Sequence, residues 1–166
     1  MVGDKRYRDM ADSFHKTGSK VLFIFVTGVV LAGLLVGYST RPGAWYAALN
    51  KPGFNPPDYI FAPVWTALYV CVGIAGARTW SRDPRGPAMI AWFAQMALNF
   101  LWSPTFFAWH RIDLALAIVV AMLLCIFIFI VLQWRADRAA AWCFVPYAMW
   151  VAFAAALNWS IYRLNG

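Results

Sequence analysis

Five long apolar runs, at about residues 21–39, 59–77, 88–109, 114–134 and 139–162, contain none of the chain's 14 basic and 7 acidic residues. Each run approaches the ~20 helical residues that cross ~30 Å of hydrocarbon. Inside lipid an unpaired backbone amide has no water to turn to, so a spanning segment must be a helix or part of a closed barrel. Barrel strands alternate apolar and polar residues, whereas the run from Ala115 to Leu132 is apolar on every face. The expected fold is therefore an all-α integral membrane protein, a single five-transmembrane-helix bundle with a structured first loop. It takes up residues 21–166 of the 166 present, behind a basic polar tail at 1–20 that reads as a mobile or surface-lying segment.

The run at 21 leads into Tyr38, Ser39, Thr40 and Arg41 without a small-residue cleavage site, so it reads as a retained span. The net charge of +7 would suit a nucleic-acid partner, but the positive residues lie in segments beside the spans, and no such partner is expected. Assigned to alternate flanks, Lys5, Arg6, Arg8, Lys16, Lys20, Arg78, Arg82, Arg85, Arg135 and Arg138 face Arg41, Lys51, Arg111 and Arg163, ten against four. In an inner membrane, such as a bacterial cell membrane, that imbalance places the N-terminus in the cytoplasm.

No Asp, Glu, Lys, Arg or His lies within the runs, which removes the usual intramembrane proton relay and the general acid/base pair. Pumps and coupled transporters are disfavoured, and no catalytic residue stands out. Cys71, Cys125 and Cys143 are too far apart in sequence to form a metal or redox pair and read as packing residues, and no metal centre is expected. The polar residues of the runs are amides and hydroxyls. Gln95, Asn99 and Ser103 recur at four-residue spacing on one helix face, the pattern of hydrogen bonding between helices. Gly33 and Gly37 form a small-xxx-small pair for close helix contact. Pro104 and Pro146 each remove one helical hydrogen bond, leaving a kink that serves packing or opens space for a ligand.

Of the ten tryptophans, Trp80, Trp109 and Trp134 lie near run ends, as interfacial residues do. Trp65 and Trp150 lie inside runs. Trp65 shares a face with Tyr69, and Trp150 with Ala154 and Leu157; such stripes serve either as bundle core or as the walls of a pocket. The connection from Thr40 to Asp58 carries Pro42, Pro52, Pro56 and Pro57 with Trp45, Tyr46 and Phe54, a composition that predicts an ordered cap at the membrane surface. Asp58, after Pro56 and Pro57, marks the start of the second span.

Four ordered segments, WYAALNKPGFNPP (45–57), PVWTALY (63–69), AQMALNFLWSPTFF (94–107) and VPYAMWVAFAAALN (145–158), resemble those of the TspO/MBR family of translocator and tryptophan-rich sensory proteins. The resemblance covers about residues 21–165. It implies a membrane bundle, commonly a homodimer, that binds porphyrins and haem, sterols in some members, and benzodiazepine-type drugs in a cavity roofed by the first loop. Carried onto this chain, the pocket comprises Trp45, Tyr46 and Leu49 of the loop, Trp65 and Tyr69, Asn99 with Phe106 and Phe107, and Trp150, Ala154 and Leu157. Arg41 and Lys51 are candidates for pairing with porphyrin propionates, lipid headgroups being the other partner open to them. The expectation is a tetrapyrrole-binding membrane receptor or sensor with no tightly bound cofactor; light-dependent porphyrin breakdown and porphyrin or sterol transport are its rivals.

Overall fold

The structure, a computed structural model, describes residues 2–165, with side chains from Gly18 onward, so the basic side chains of the tail before Gly18 lie outside the described residues. Its elements are α1 (Val2–Ser39), α2 (Ala44–Ala48), a 3-10 turn (Asp58–Ile60), α3 (Phe61–Arg82), α4 (Pro87–Phe107), α5 (Ile112–Ala136) and α6 (Arg138–Asn165). Among the described residues there are thus six helices where the sequence predicts five, and the addition is the short α2 within the first loop. Hydropathy has no signal for it, because a single turn folded on the surface needs no apolar run.

Among the described residues, four segments, Gly18–Ser39, Asp58–Arg82, Ile112–Ala136 and Arg138–Asn165, are long and apolar enough to cross a membrane. In the remaining long helix, α4, Gln95 and Asn99 lower the hydropathy, yet they are only 0% and 5% exposed. Its outward face instead carries Ile90, Phe93 and Leu101. The same inversion runs through the molecule: Phe23, Leu35, Val131 and Met149 point outward, while amides are enclosed.

Several element ends differ from the apolar runs. Helices α3 and α6 continue past the apolar limits to Arg82 and Asn165, since helical hydrogen bonding does not stop where hydrocarbon ends. The third run was expected to continue to Trp109, but α4 stops at Phe107. There the amides of Ala108 and Trp109 both donate to the Pro104 carbonyl at 2.9 Å, and His110 turns the chain with a left-handed φ of 56°. Asp58 opens the 3-10 turn that leads into α3. Both Pro104 and Pro146 lie inside continuous helices.

In space the long helices run α1, α3, α6, α5, α4, and α4 also touches α1 and α3, which closes the ring. Glycines set the tightest approaches. A methyl group on Gly33 would overlap the Tyr69 ring, and one on Gly76 would meet Trp92 and Phe25 at 2.6–2.7 Å. Gly37 has nothing within 4 Å, so only the first member of the expected glycine pair makes a close contact.

At the end away from the first loop, Asp137 joins three helices. Its carboxylate accepts Arg78 Nε at 2.9 Å and Nη2 at 3.0 Å, and Oδ1 also accepts the amides of Ala139 and Ala140, capping α6. The side chain is 4% exposed, and Arg82 approaches to 3.9 Å. Burial alone would raise its pKa, but Arg78, the capping amides and Arg82 together hold it below the ordinary carboxylate value. A depressed folded value adds stability above the unfolded pKa, and that stability is lost as pH falls through the folded value. Thermal unfolding of the parent should therefore shift downward as pH drops below the ordinary 3.8. Asp137→Asn should begin about 1–2 kcal/mol less stable at neutral pH, the half-exposed arginine moderating the loss, and should show a smaller acid-induced shift.

Candidate functional site

The first loop folds down onto the ends of α4 and α6. Within α2, Tyr46 is 7% exposed and packs edge-to-face on Phe107 and Phe106, with ring centroids 5.4 and 6.1 Å apart. Trp45 meets Phe106 at 5.7 Å and stacks on His110 at 4.1 Å. Leu49, Leu157 and Ile161 complete this apolar seal. The loop is anchored at its start by Thr40, whose hydroxyl lies 2.5 Å from that of Ser103, and near its end by Phe54 against Phe153 at 6.2 Å. Burial raises the pKa of the Tyr46 phenol, and the Asp58 carboxylate adds to the effect, so this ring remains neutral.

Beneath the seal lies a second aromatic layer. Trp65 packs on Tyr69 at 5.4 Å and on Tyr147 at 6.2 Å, while Trp150 meets Phe61 at 5.9 Å and Phe153 at 5.5 Å. Trp65, Tyr69, Trp150 and Ala154 are half-buried against the main core. The rings lie close against one another, and a planar guest between them requires the rings or the loop to move. The glycine at 33 lets the Tyr69 ring lie against α1.

A directed hydrogen-bond chain crosses the bundle at this level. The Tyr69 hydroxyl donates to Asn99 Oδ1 at 3.0 Å, Asn99 Nδ2 donates to the Tyr147 hydroxyl at 2.9 Å, and that hydroxyl donates to Gln95 Oε1 at 2.8 Å. Gln95 and Asn99 thus bond to other helices, as their spacing predicted, while Ser103, one turn further along, bonds to Thr40, the loop residue just past the end of α1. Trp102 Nε1 donates to Asn158 Oδ1 at 3.1 Å, which ties α4 to α6. By contrast, Trp150 Nε1 is buried and has no partner among the described residues. Buried polar groups are ordinarily satisfied, so this indole N–H is a donor open to an acceptor that the described residues do not supply.

The structure thus collects the sequence-derived residues at one end of the bundle in two adjoining layers. Trp45, Tyr46, Leu49, Phe106, Phe107 and Leu157 form the seal; Trp65, Tyr69, Asn99, Trp150 and Ala154 lie beneath it. The two cations each lie on a ring of their own. Exposed Arg41 is 4.1 Å from the Tyr38 centroid; Lys51 is 4.5 Å from that of Tyr46 and donates to the carbonyls of Ala47 and Leu49. Tyr147, Phe61 and Trp102 were not singled out from sequence. Helical spacing contained the clue, since Tyr147 precedes Trp150 by three residues, Phe61 precedes Trp65 by four, and Trp102 follows Asn99 by three.

Tyr147→Phe would strand Asn99 Nδ2 and Gln95 Oε1 in the bundle interior. A loss of about 1–3 kcal/mol is expected, read as a lower midpoint in SDS unfolding from bicelles, whereas Tyr162→Phe at the surface should leave the midpoint within about 0.5 kcal/mol.

Residues 24–163 match the TspO/MBR family. The chain is 38% identical to protein CrtK of Rhodobacter capsulatus over 128 residues, covering 75% of this chain and 80% of that protein. It is 36% identical to the tryptophan-rich sensory protein of Cereibacter sphaeroides over 144 residues, covering 87% and 91% respectively. With the translocator protein of Sus scrofa the identity is 34% over 131 residues, covering 73% and 75%. The matched residues take in the loop seal, the aromatic layer and the polar chain, and this integral membrane protein belongs to the TspO/MBR family.

Proposed function

We propose that the chain is a membrane receptor for tetrapyrroles such as protoporphyrin IX and haem, held among the rings of α3, α4 and α6 beneath the first loop. The observation that carries this reading is the buried Trp150 indole N–H without a partner, set among aromatic faces. Flat conjugated ligands bury their π-surface on such rings, and the open donor favours a ligand with an acceptor at that level. Arg41, exposed at the rim, would meet a propionate; Lys51 would first release the two loop carbonyls it holds. Sterols and benzodiazepine-type molecules would compete for the same walls.

Relatives carry names that refer to sensing and to translocation. The absence of charged side chains from the apolar runs supports binding over ion-coupled transport. In this reading all five long helices cross a bacterial cell membrane with the N-terminus in the cytoplasm, and a second copy packs on the exposed face of α4 around Ala97. The test is titration of the purified protein with protoporphyrin IX while following tryptophan fluorescence. Saturable quenching is expected, and quenching that rises linearly without a plateau would overturn the reading.

A further inference from the structure

Midway along the first loop, Asn50 is held by a residue 115 positions further along the chain. Its amide donates to Asn165 Oδ1 at 2.9 Å, and its carbonyl accepts Asn165 Nδ2 at 2.9 Å. One carboxamide therefore fills both backbone positions of one loop residue, as a neighbouring strand would. Asn165 Nδ2 also donates to the Ile161 carbonyl at 2.8 Å, which fixes the side chain against the last turn of its own helix. The apolar seal of Tyr46, Leu49, Leu157 and Ile161 lies beside this pair and is non-directional, so it holds the loop down without setting its position. The carboxamide pair is directional and sets the register of the loop on α6.

We infer that Asn165 is the latch of the first loop, a positioning residue that controls how often the loop lifts from the aromatic site. Both bonds are exposed to solvent, where water competes for the same groups, so the latch opens reversibly. It belongs to α6, the helix that also presents Trp150, Ala154 and Leu157 to the site. Loop closure and the ligand-facing residues thus share one rigid element. The effect on ligand exchange rests on the tetrapyrrole reading above; the effect on loop opening does not.

The test uses the full chain in nanodiscs. In Asn165→Ala, amide hydrogen exchange across residues 44–50 should rise about tenfold, while exchange in the centre of α5 stays unchanged. Asn165→Asp keeps an acceptor for the Asn50 amide but has no donor for its carbonyl, so it should fall between parent and alanine variant. Association and dissociation of protoporphyrin IX should both accelerate several-fold in Asn165→Ala, leaving Kd nearly constant, a pattern that loss of a ligand contact would not produce. Unchanged loop exchange in Asn165→Ala would overturn the latch. Faster exchange with unaltered porphyrin rates would overturn its control of ligand passage. Absence of saturable binding in the parent would sink the receptor reading, with the exchange comparison still deciding the latch.

Discussion

Replacing Trp65 and Trp150 together by leucine is expected to weaken protoporphyrin IX binding about a hundredfold or more. Each indole contributes an aromatic face worth about 0.5–1.5 kcal/mol beyond the area it covers, and Trp150 also offers a buried donor worth about 1 kcal/mol to a matching acceptor. Together these come to about 2–4 kcal/mol, centred near a hundredfold, since roughly 1.4 kcal/mol is tenfold in affinity. The matched control is Trp80→Leu with Trp134→Leu, two exposed indoles away from the site, which should leave affinity unchanged. Competition with a fluorescent porphyrin avoids reading the result through the deleted tryptophans. Equal affinities for the two double variants would remove the aromatic layer from any account of binding.

The largest effect on stability is expected at Gly73. A methyl group there would stand 2.6 Å from the α carbon of Val26, so α1 and α3 would have to separate along backbone, with no side chain able to yield. Gly73→Ala should destabilise the bundle by about 2–3 kcal/mol, and Gly73→Val by more. Gly37, with open space around it, should respond in the opposite direction: Gly37→Ala should be neutral or stabilising by up to about 1 kcal/mol, through helix propensity. SDS unfolding from bicelles would measure both. A tolerated Gly73→Ala would mean that the two helices are not held at this separation.

These two glycines show what a single chain discloses about its fold and what it withholds. Helix-forming segments were legible because lipid imposes an uninterrupted apolar run, and the face shared by Gln95, Asn99 and Ser103 was legible because helical periodicity repeats it. The spacing of Gly33 and Gly37 marked a close contact, but a spacing rule cannot say which member faces a neighbour; only Gly33 does. Gly73 and Gly76 do not form that pattern, and their role emerges from what stands opposite them, the Val26 backbone for Gly73 and the Phe25 and Trp92 side chains for Gly76.

The candidate site divides in the same way. Trp65 with Tyr69 and Trp150 with Ala154 lie at helical spacing, and the loop residues stand in one compact segment. Tyr147 does not stand out in sequence, because a tyrosine in an apolar run resembles any other core residue and only the fold puts its hydroxyl between Asn99 and Gln95. The pairing of Asn50 with Asn165 leaves no periodic trace, since it joins an irregular loop to a helix end. Helix α2 escaped notice because its turn is stabilised by the burial of Tyr46, a tertiary contact, and not by any local signal.

Helix α6 has one further consequence. Its 28 residues form a rod of about 42 Å, secured at the first turn to α3 through Asp137 and Arg78 and at the last turn to the loop through Asn165. A rod tethered at both extremities cannot tilt at one without displacing the other. Displacement of the first loop at one end of the bundle and of the arginine-rich rim at the other are therefore mechanically joined through a single strut.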